Sequence, residues 1–249
     1  MDDLKLIVAP SPHIRDTDTT EKSMFATLIA LLPVVAASVY FFGLDALRLV
    51  LLSGAAAVAT EAIFQRLRKQ PIRVGDGSAL VTGVLLGLIV PPSLPSWMVI
   101  LGAVFAIAIG KQVFGGLGQN PFNPALVGRA ILTASFATAM TTWRTPFDAI
   151  TAATPLALGE VSGRIPDLFF GSVAGSLGET SALAILLGGI YLFYRGYLDY
   201  RIPVGIFASV IVMSLITGQS VIFHLLAGSL LFGAIFMAVD PVTTPVTKG

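Results

Sequence analysis

Residues 24–42 read MFATLIALLPVVAASVYFF, an uncharged apolar run of 19 residues. A helix of about 20 apolar residues crosses the roughly 30 Å hydrocarbon core of a bilayer, so this run is long enough to span a membrane. Hydrophobic residues make up 55% of the chain and charged residues only 12%, whereas soluble domains carry about 25% charged residues. The composition therefore predicts an all-α, polytopic membrane protein.

Similar apolar runs recur along the chain and predict about eight transmembrane segments. They cover residues 24–42, 45–63, 78–90, 98–110, 123–140, 181–194, 202–217 and 221–239. The third and fourth runs are shorter than the lower limit of about 17 residues for a straight crossing. Glycine or proline clusters border both runs, at Gly75-Asp76-Gly77, Pro91-Pro92 and Gly115-Gly116. We expect discontinuous or re-entrant helices there, buried in protein or lining a cavity.

Lysine and arginine are divided unequally between the connecting segments. Eleven lie on the side of the N-terminus: Lys5, Arg15, Lys22, Arg66, Arg68, Lys69, Arg73, Lys111, Arg195, Arg201 and Lys248. The other side has only Arg144 and Arg164, while Arg48 and Arg129 lie within spans. Because positive residues accumulate in cytoplasmic loops, this predicts a cytoplasmic N-terminus and an extracytoplasmic loop at residues 141–180.

Ionisable residues near the spans have ordinary structural explanations. Asp45 opens the second span, where a negative charge suits the helix dipole. Glu61 and Arg66 lie where that span ends, which indicates snorkelling to the membrane surface. His224 is a lone histidine and is read as a packing residue. We place no metal site and no catalytic residue in the chain, and the absence of cysteine excludes thiolate iron–sulfur ligation within it.

The glycine-rich stretch GKQVFGGLGQNPFNPA, residues 110–125, follows the fourth run. It is neither a Walker A loop nor a dinucleotide fingerprint. Asn123 and Pro124 are an N-cap and first-position pair for a helix that runs to about Met140. The amide groups at such a helix start suit an anionic or electron-rich ligand. A cytoplasmic turn with two capping asparagines, Asn120 and Asn123, is an equally open interpretation.

The polar loop contains DAITAATPL at residues 148–156. Small alanines flank Thr154, so its hydroxyl would be reachable by a modifying enzyme and by a flat cofactor. Thr154 followed by Pro155 is also a common helix start, with a threonine cap and proline at the first position. The loop alone leaves both interpretations open.

Several stretches in order along the chain resemble the family that contains the D subunit of the Rnf ion-translocating oxidoreductase and the B subunit of the sodium-pumping NADH:quinone reductase. They are Ser11-Pro12-His13, Asp76-Gly77-Ser78-Ala79, Thr82-Gly83, Pro91-Pro92, residues 116–125, residues 148–156 and Asp240-Pro241-Val242-Thr243. The resemblance therefore extends from one end of the chain to the other.

The resemblance implies a flavin attached to Thr154. The family's motif is aspartate, two residues, serine or threonine, glycine, alanine and threonine, and its last threonine carries FMN through a phosphoester. Asp148, Thr151, Ala153 and Thr154 match this motif, while Ala152 replaces the usual glycine. That departure affects recognition by the flavin transferase but leaves the accepting hydroxyl in place.

The family also implies two inverted repeats of five spans. This divides the chain into a cytoplasmic segment (residues 1–23), a first five-span repeat (24–140), the flavin-bearing extracytoplasmic loop (141–180) and the start of a second repeat (181–249). On that pattern, two closing spans would follow Asp240-Pro241-Val242-Thr243. The resemblance leaves room for a second, non-covalent flavin such as riboflavin, or an ion path, near Asp76, Lys111, Asn120, Asn123 and Asp240.

The function implied is that of a membrane component in the bacterial cytoplasmic (inner) membrane, coupling electron flow between ferredoxin and NAD to pumping of Na⁺ or H⁺. Its implied partners are iron–sulfur, NADH-binding and flavin-bearing Rnf subunits, a flavin transferase and membrane lipid, with no nucleic acid. Two alternatives remain open. A solute channel built on an inverted repeat would carry no covalent flavin, and a scaffold subunit would tolerate loss of the loop threonine.

The predicted orientation is tested by cysteine labelling from outside the cell. A membrane-impermeant reagent should modify a cysteine placed at Ser172 and spare one placed at Lys69, because these positions lie on opposite sides of the predicted topology. The chain has no native cysteine, so no background labelling arises from it. The reverse pattern would contradict the orientation.

Overall fold

The computed structural model describes residues 19–148, 150–159, 165–240 and 242–244. These residues form helices and turns, with one isolated antiparallel bridge between Arg144 and Thr151. The all-α prediction is confirmed. Several residues that carry sequence predictions lie outside the described residues, namely Lys5, Ser11-Pro12-His13, Arg15, Ala149, Arg164, Pro241 and Lys248.

The helices follow the apolar runs. They are α1 (Thr20–Phe42), α2 (Leu44–Leu67), α3 (Ser78–Leu88), α4 (Ser96–Ile107), α5 (Pro124–Ser135), α6 (Ala137–Met140), α7 (Pro155–Leu158), α8 (Ile165–Phe170), α9 (Ala182–Tyr194), α10 (Arg201–Ile216), α11 (Val221–Leu226) and α12 (Leu230–Phe232). A 3₁₀ turn, Val74–Asp76, precedes α3, and π-helical turns follow α4 (Ala108–Gln112) and α12 (Gly233–Met237). Among the described helices, α1 and α2 are long and apolar enough to cross a membrane, and several shorter apolar helices accompany them.

Two predicted runs are interrupted. The fifth run does not continue unbroken to Met140, because α5 ends at Ser135 and Phe136 leaves helical geometry, with φ −134° and ψ 50°, before α6 begins. The eighth run is divided near Gly228, which has a φ of 70°. Each of the eight runs contains helix, and the number of complete crossings stays a prediction.

Close contact between α2 and α3 is made possible by small residues. A Cβ atom added to Gly83 would lie 2.6 Å from the Cα of Gly54, and one added to Gly87 would lie 2.9 Å from the Cα of Val50. The Ser53 hydroxyl donates a hydrogen bond of 2.6 Å to the Gly83 carbonyl. Such packing stabilises membrane helices because apolar burial does not distinguish a neighbouring helix from lipid.

Glycine residues also allow close contact in two other helix pairs. At the α4–α5 contact, a Cβ added to Gly128 would lie 2.7 Å from the Gly102 carbonyl oxygen. At the α1–α9 contact, a Cβ on Gly188 would collide with the Ala30 carbonyl oxygen. At these contacts the helices therefore pack backbone against backbone.

The interrupted end of α3 is completed by the segment before α9. The Gly178 N–H donates to the Leu88 carbonyl at 2.7 Å, and the Leu177 N–H donates to the Val90 carbonyl at 3.3 Å. These bonds satisfy carbonyls that a helix terminus leaves without intrahelical partners. A short helix can therefore end within the protein, as the short third run predicted.

The α2–α3 contact predicts a selective effect of one methyl group. Gly83→Ala should lower thermal stability in detergent, because overpacking a close contact typically costs about 1–3 kcal/mol. Gly205→Ala in α10 is the matched control, since nothing lies within 4 Å of its added Cβ. Monodispersity after heating measures the difference. Equal stability of Gly83→Ala and the wild-type protein would contradict the packing account.

Candidate cofactor and ion-path sites

The loop that carries the predicted flavin site is anchored to the turn between α1 and α2. The Phe147 N–H donates to the Phe41 carbonyl at 3.0 Å, and Arg144 Nη1 lies 3.6 Å from an Asp45 carboxylate oxygen. The loop then folds back on itself, with the Ala152 N–H donating to the Trp143 carbonyl at 3.1 Å. This arrangement places the loop at one end of the α1–α2 pair.

Thr154 caps α7. Its Oγ1 accepts a hydrogen bond of 3.3 Å from the Ala157 N–H, Pro155 occupies the first helical position, and Gly159 ends the turn with φ 65°. The cap interpretation is therefore confirmed as local structure. A hydroxyl oxygen has a second lone pair, and Thr154 is only partly buried, so the cap leaves the oxygen accessible.

The other motif residues differ from Thr154 in their exposure and contacts. Asp148, Thr151 and Ala153 are exposed, and none of them lines the cavity next to Thr154. Thr151 forms the bridge with Arg144 instead. The exposed positions of Asp148, Thr151 and Ala153 suit recognition by another protein better than contact with a cofactor.

The cavity next to Thr154, called here the loop cavity, has a volume of about 170 Å³. It is lined by Arg129, Trp143, Thr154, Pro155, Leu156, Leu168, Val173, Ala174, Gly175, Glu179, Thr180, Gly228 and Ser229. The lining is mainly apolar and includes a few polar side chains. A cavity of this size and character accepts one edge of a flat ring system.

Two of the polar residues that line the loop cavity form an ion pair. Arg129 Nη1 lies 3.1 Å from Glu179 Oε1, with side-chain exposures of 27% and 8%. Burial raises the pKa of the Glu179 carboxyl, and the Arg129 guanidinium opposes that rise. Neither Glu179 nor Thr180 was predicted as a site residue. An available signal was Arg129, because a charge within a span is expected to have a partner.

A second cavity, called here the break cavity, lies at the opposite end of the α1–α2 pair. Its volume is about 60 Å³, and its lining includes Lys111, Asn120, Asn123 and Asp240 from the predicted set, together with Ser78. Four of the five predicted residues are therefore brought together. The space suits an ion or water better than a ring system.

Asp76, the fifth predicted residue, lies in the wall of an adjoining cleft of about 960 Å³. Its Oδ1 accepts hydrogen bonds from the Ser78 N–H at 3.0 Å and from the Ser78 hydroxyl at 2.8 Å. Lys111 Nζ donates to Ser78 Oγ at 2.5 Å. Asp76 is therefore linked to the break cavity through Ser78.

Glu61 and Lys111 form a buried ion pair. The Lys111 Nζ to Glu61 Oε1 distance is 2.7 Å, with side-chain exposures of 1% and 2% for lysine and glutamate. The Gln112 amide donates to the same oxygen at 2.9 Å. The snorkelling interpretation of Glu61 is wrong, and Lys111 is not a loop cation. Arg66 is exposed, as snorkelling predicts.

Asn123 links two broken segments. Its Oδ1 accepts from the Ala125 and Leu126 N–H groups and caps α5, while its Nδ2 lies 3.5 Å from the Met237 carbonyl in the second π-helical turn. The predicted cap is confirmed.

Asn120 and Asp240, two more of the predicted residues, differ in whether their side-chain oxygens are hydrogen-bonded. Asn120 Oδ1 is buried and has no hydrogen-bond partner among the described residues. Asp240 accepts a hydrogen bond from the Thr243 hydroxyl at 3.3 Å, and burial raises the pKa of its carboxyl. The break cavity therefore presents carboxylate and amide oxygens, which are ligands of hard cations.

Comparison with known proteins identifies the wider group. The model of the NQR2, RnfD, RnfE family matches residues 7–249. The D subunit of the Na(+)-translocating ferredoxin:NAD(+) oxidoreductase complex of Acetobacterium woodii is 49% identical, covering 99% of this chain and 80% of that protein. The D subunit of the proton-translocating ferredoxin:NAD(+) oxidoreductase complex of Clostridium ljungdahlii is 40% identical, covering 96% of this chain and 80% of that protein.

A third relative carries a more general name. The D subunit of the ion-translocating oxidoreductase complex of Cronobacter sakazakii is 35% identical, covering 97% of this chain and 84% of that protein. The match therefore extends over nearly the whole chain. On this similarity and on its all-helical, apolar architecture, the chain belongs to the NQR2, RnfD, RnfE family.

Proposed function

We propose that the chain is the D subunit of an Rnf-type ion-translocating ferredoxin:NAD oxidoreductase complex and that Thr154 carries FMN through a phosphoester. The names of the relatives support the first part. The observation that carries the second part is the Thr154 hydroxyl, which belongs to the family motif and lines the loop cavity. The apolar walls and the ion pair fit a flavin, whose ring has a flat body and a polar edge.

Bound FMN would supply one- and two-electron chemistry, while the protein sets its position and electrostatic surroundings. Thr154 provides the attachment point, and its role as the cap of α7 fixes its backbone. Trp143 and Leu168 contribute apolar surface to the loop cavity. A tether holds the electron carrier at a near-constant distance from its donors and acceptors. In this way a loop that is exposed to water could hold a redox group in a fixed position.

The proposed ion path lies at the opposite end of the protein. It includes Asp76, Lys111, Asn120, Asn123 and Asp240, the residues at or next to the break cavity. The small volume favours an ion over a second flavin such as riboflavin. The transported ion is Na⁺ or H⁺, and the two named relatives differ on this point.

We infer that the chain lies in the bacterial cytoplasmic membrane with the loop outside. Iron–sulfur, NADH-binding and flavin-bearing subunits would be its partners, and a flavin transferase would attach the FMN. A solute channel or a non-redox scaffold is the competing function, and neither requires the Thr154 hydroxyl.

The attachment is tested with Thr154→Val in protein co-produced with a competent flavin transferase. A phosphoester requires the hydroxyl oxygen, so this near-isosteric change should abolish covalent flavin fluorescence on a denaturing gel. Thr151→Val is the matched control and should retain at least partial fluorescence, because Thr151 does not line the loop cavity. Equal fluorescence of Thr154→Val and the wild-type protein would contradict the attachment.

The ion path is tested with Asn123→Ala. Loss of an N-cap typically costs about 1 kcal/mol, and here it also removes a polar group from the break cavity. Ion pumping per assembled complex should fall below the wild-type value.

Ser220→Ala is the control for the loss of a cap alone. Ser220 caps α11 through the Phe223 N–H and does not line the break cavity. Its pumping rate per complex should be unchanged. Equal rates for Asn123→Ala and the wild-type protein would reduce the break cavity to a structural feature.

A further inference from the structure

The Arg129 guanidinium has hydrogen-bonding capacity that its protein partner does not use. A guanidinium carries five N–H donors in a planar fork, and the described contacts assign one of them, from Nη1 to Glu179 Oε1. Among the described residues, no other acceptor contacts this group. The remaining donors belong to a side chain that lines the loop cavity.

Thr180 provides a second polar group in the same cavity. The residue is 3% exposed, and its Oγ1 is buried without a hydrogen-bond partner among the residues that the structure describes. Buried hydroxyls are normally hydrogen-bonded, so one without a partner needs an explanation. A ligand edge in the loop cavity would give this hydroxyl a partner.

The rest of the wall restricts the shape of that ligand. Trp143, Leu168 and Val173 line the cavity, so a ligand there would contact apolar side chains as well as the polar groups. Thr154 lines the same cavity and offers a covalent attachment point. A flat heterocycle with carbonyl oxygens on one edge meets both requirements.

We propose that Arg129 and Thr180 bind the carbonyl-bearing edge of the flavin ring attached to Thr154, and that Arg129 raises the reduction potential of that flavin. The inference rests on the proposed attachment at Thr154. A flavin that takes up two electrons and one proton becomes an anion. A fixed guanidinium beside the flavin stabilises this reduced form more than the neutral oxidised form.

Glu179 has a defined part in this arrangement. Its carboxylate orients the Arg129 guanidinium and offsets part of its charge at the flavin. Removing only the Glu179 charge should therefore raise the flavin potential. Removing the charges of both residues leaves the net charge of the cavity unchanged but eliminates the guanidinium contact, so the potential should still fall.

The experiment is a reductive titration with dithionite of the assembled complex. The signal followed is the flavin component that Thr154→Val removes. The variants are Arg129→Gln, Glu179→Gln, Arg129→Gln/Glu179→Gln and Thr180→Val. Arg48→Gln is the matched control, because Arg48 also forms an ion pair, with Asp45 at 3.2 Å, but does not line the loop cavity.

The expected result is a more negative midpoint potential for Arg129→Gln and for the double variant, and a smaller negative shift for Thr180→Val. Glu179→Gln should shift the potential in the positive direction, and Arg48→Gln should match the wild-type protein. A flavinylated double variant with the wild-type potential would overturn the inference.

Covalent flavin fluorescence separates the two levels of the proposal. If the wild-type band carries no covalent flavin, the proposed attachment fails and the inference fails with it. If the band is fluorescent, the attachment stands and the potentials decide the role of Arg129. Should Arg129→Gln fail to assemble, Thr180→Val and Glu179→Gln still decide, because unchanged potentials in both would overturn the inference.

Discussion

The buried ion pair between Lys111 and Glu61 joins three parts of the membrane domain on which the break cavity depends. Glu61 belongs to α2, Lys111 to the π-helical turn after α4, and their neighbour Ser78 begins α3. Breaking one partner of such a pair typically costs about 3–5 kcal/mol because a charge is left buried and unpaired. The pair therefore fixes the relative positions of these segments, and the break cavity forms beside it.

The loop cavity repeats this design at the other end of the α1–α2 pair. Arg129 on α5 holds Glu179, which lies in the segment that also completes the end of α3. In both places an ion pair connects a regular helix to an interrupted segment. Close glycine contacts hold the helices together between these ends. Polar groups therefore lie at both ends of the α1–α2 pair, where an ion or a cofactor could contact them.

Local sequence patterns predicted the helices, the break before α5 and the Asn123 cap, because hydrophobic runs and capping residues act over a few positions. They did not predict the pairing of Glu61 with Lys111 or of Arg129 with Glu179. The members of each pair are about fifty positions apart in sequence, so only tertiary packing brings them together. The interruption at Phe136 was also not predicted, because no proline or glycine marks it in the sequence.

Peptide mass spectrometry can decide whether Thr154 carries FMN, as we propose. Trypsin cleavage after Arg144 and Arg164 releases residues 145–164 from the natively assembled complex. We expect this peptide to carry the added mass of FMN joined through a phosphoester, and fragmentation should locate the addition at Thr154. Recovery of only the unmodified peptide, from complex matured with a competent flavin transferase, would contradict the claim.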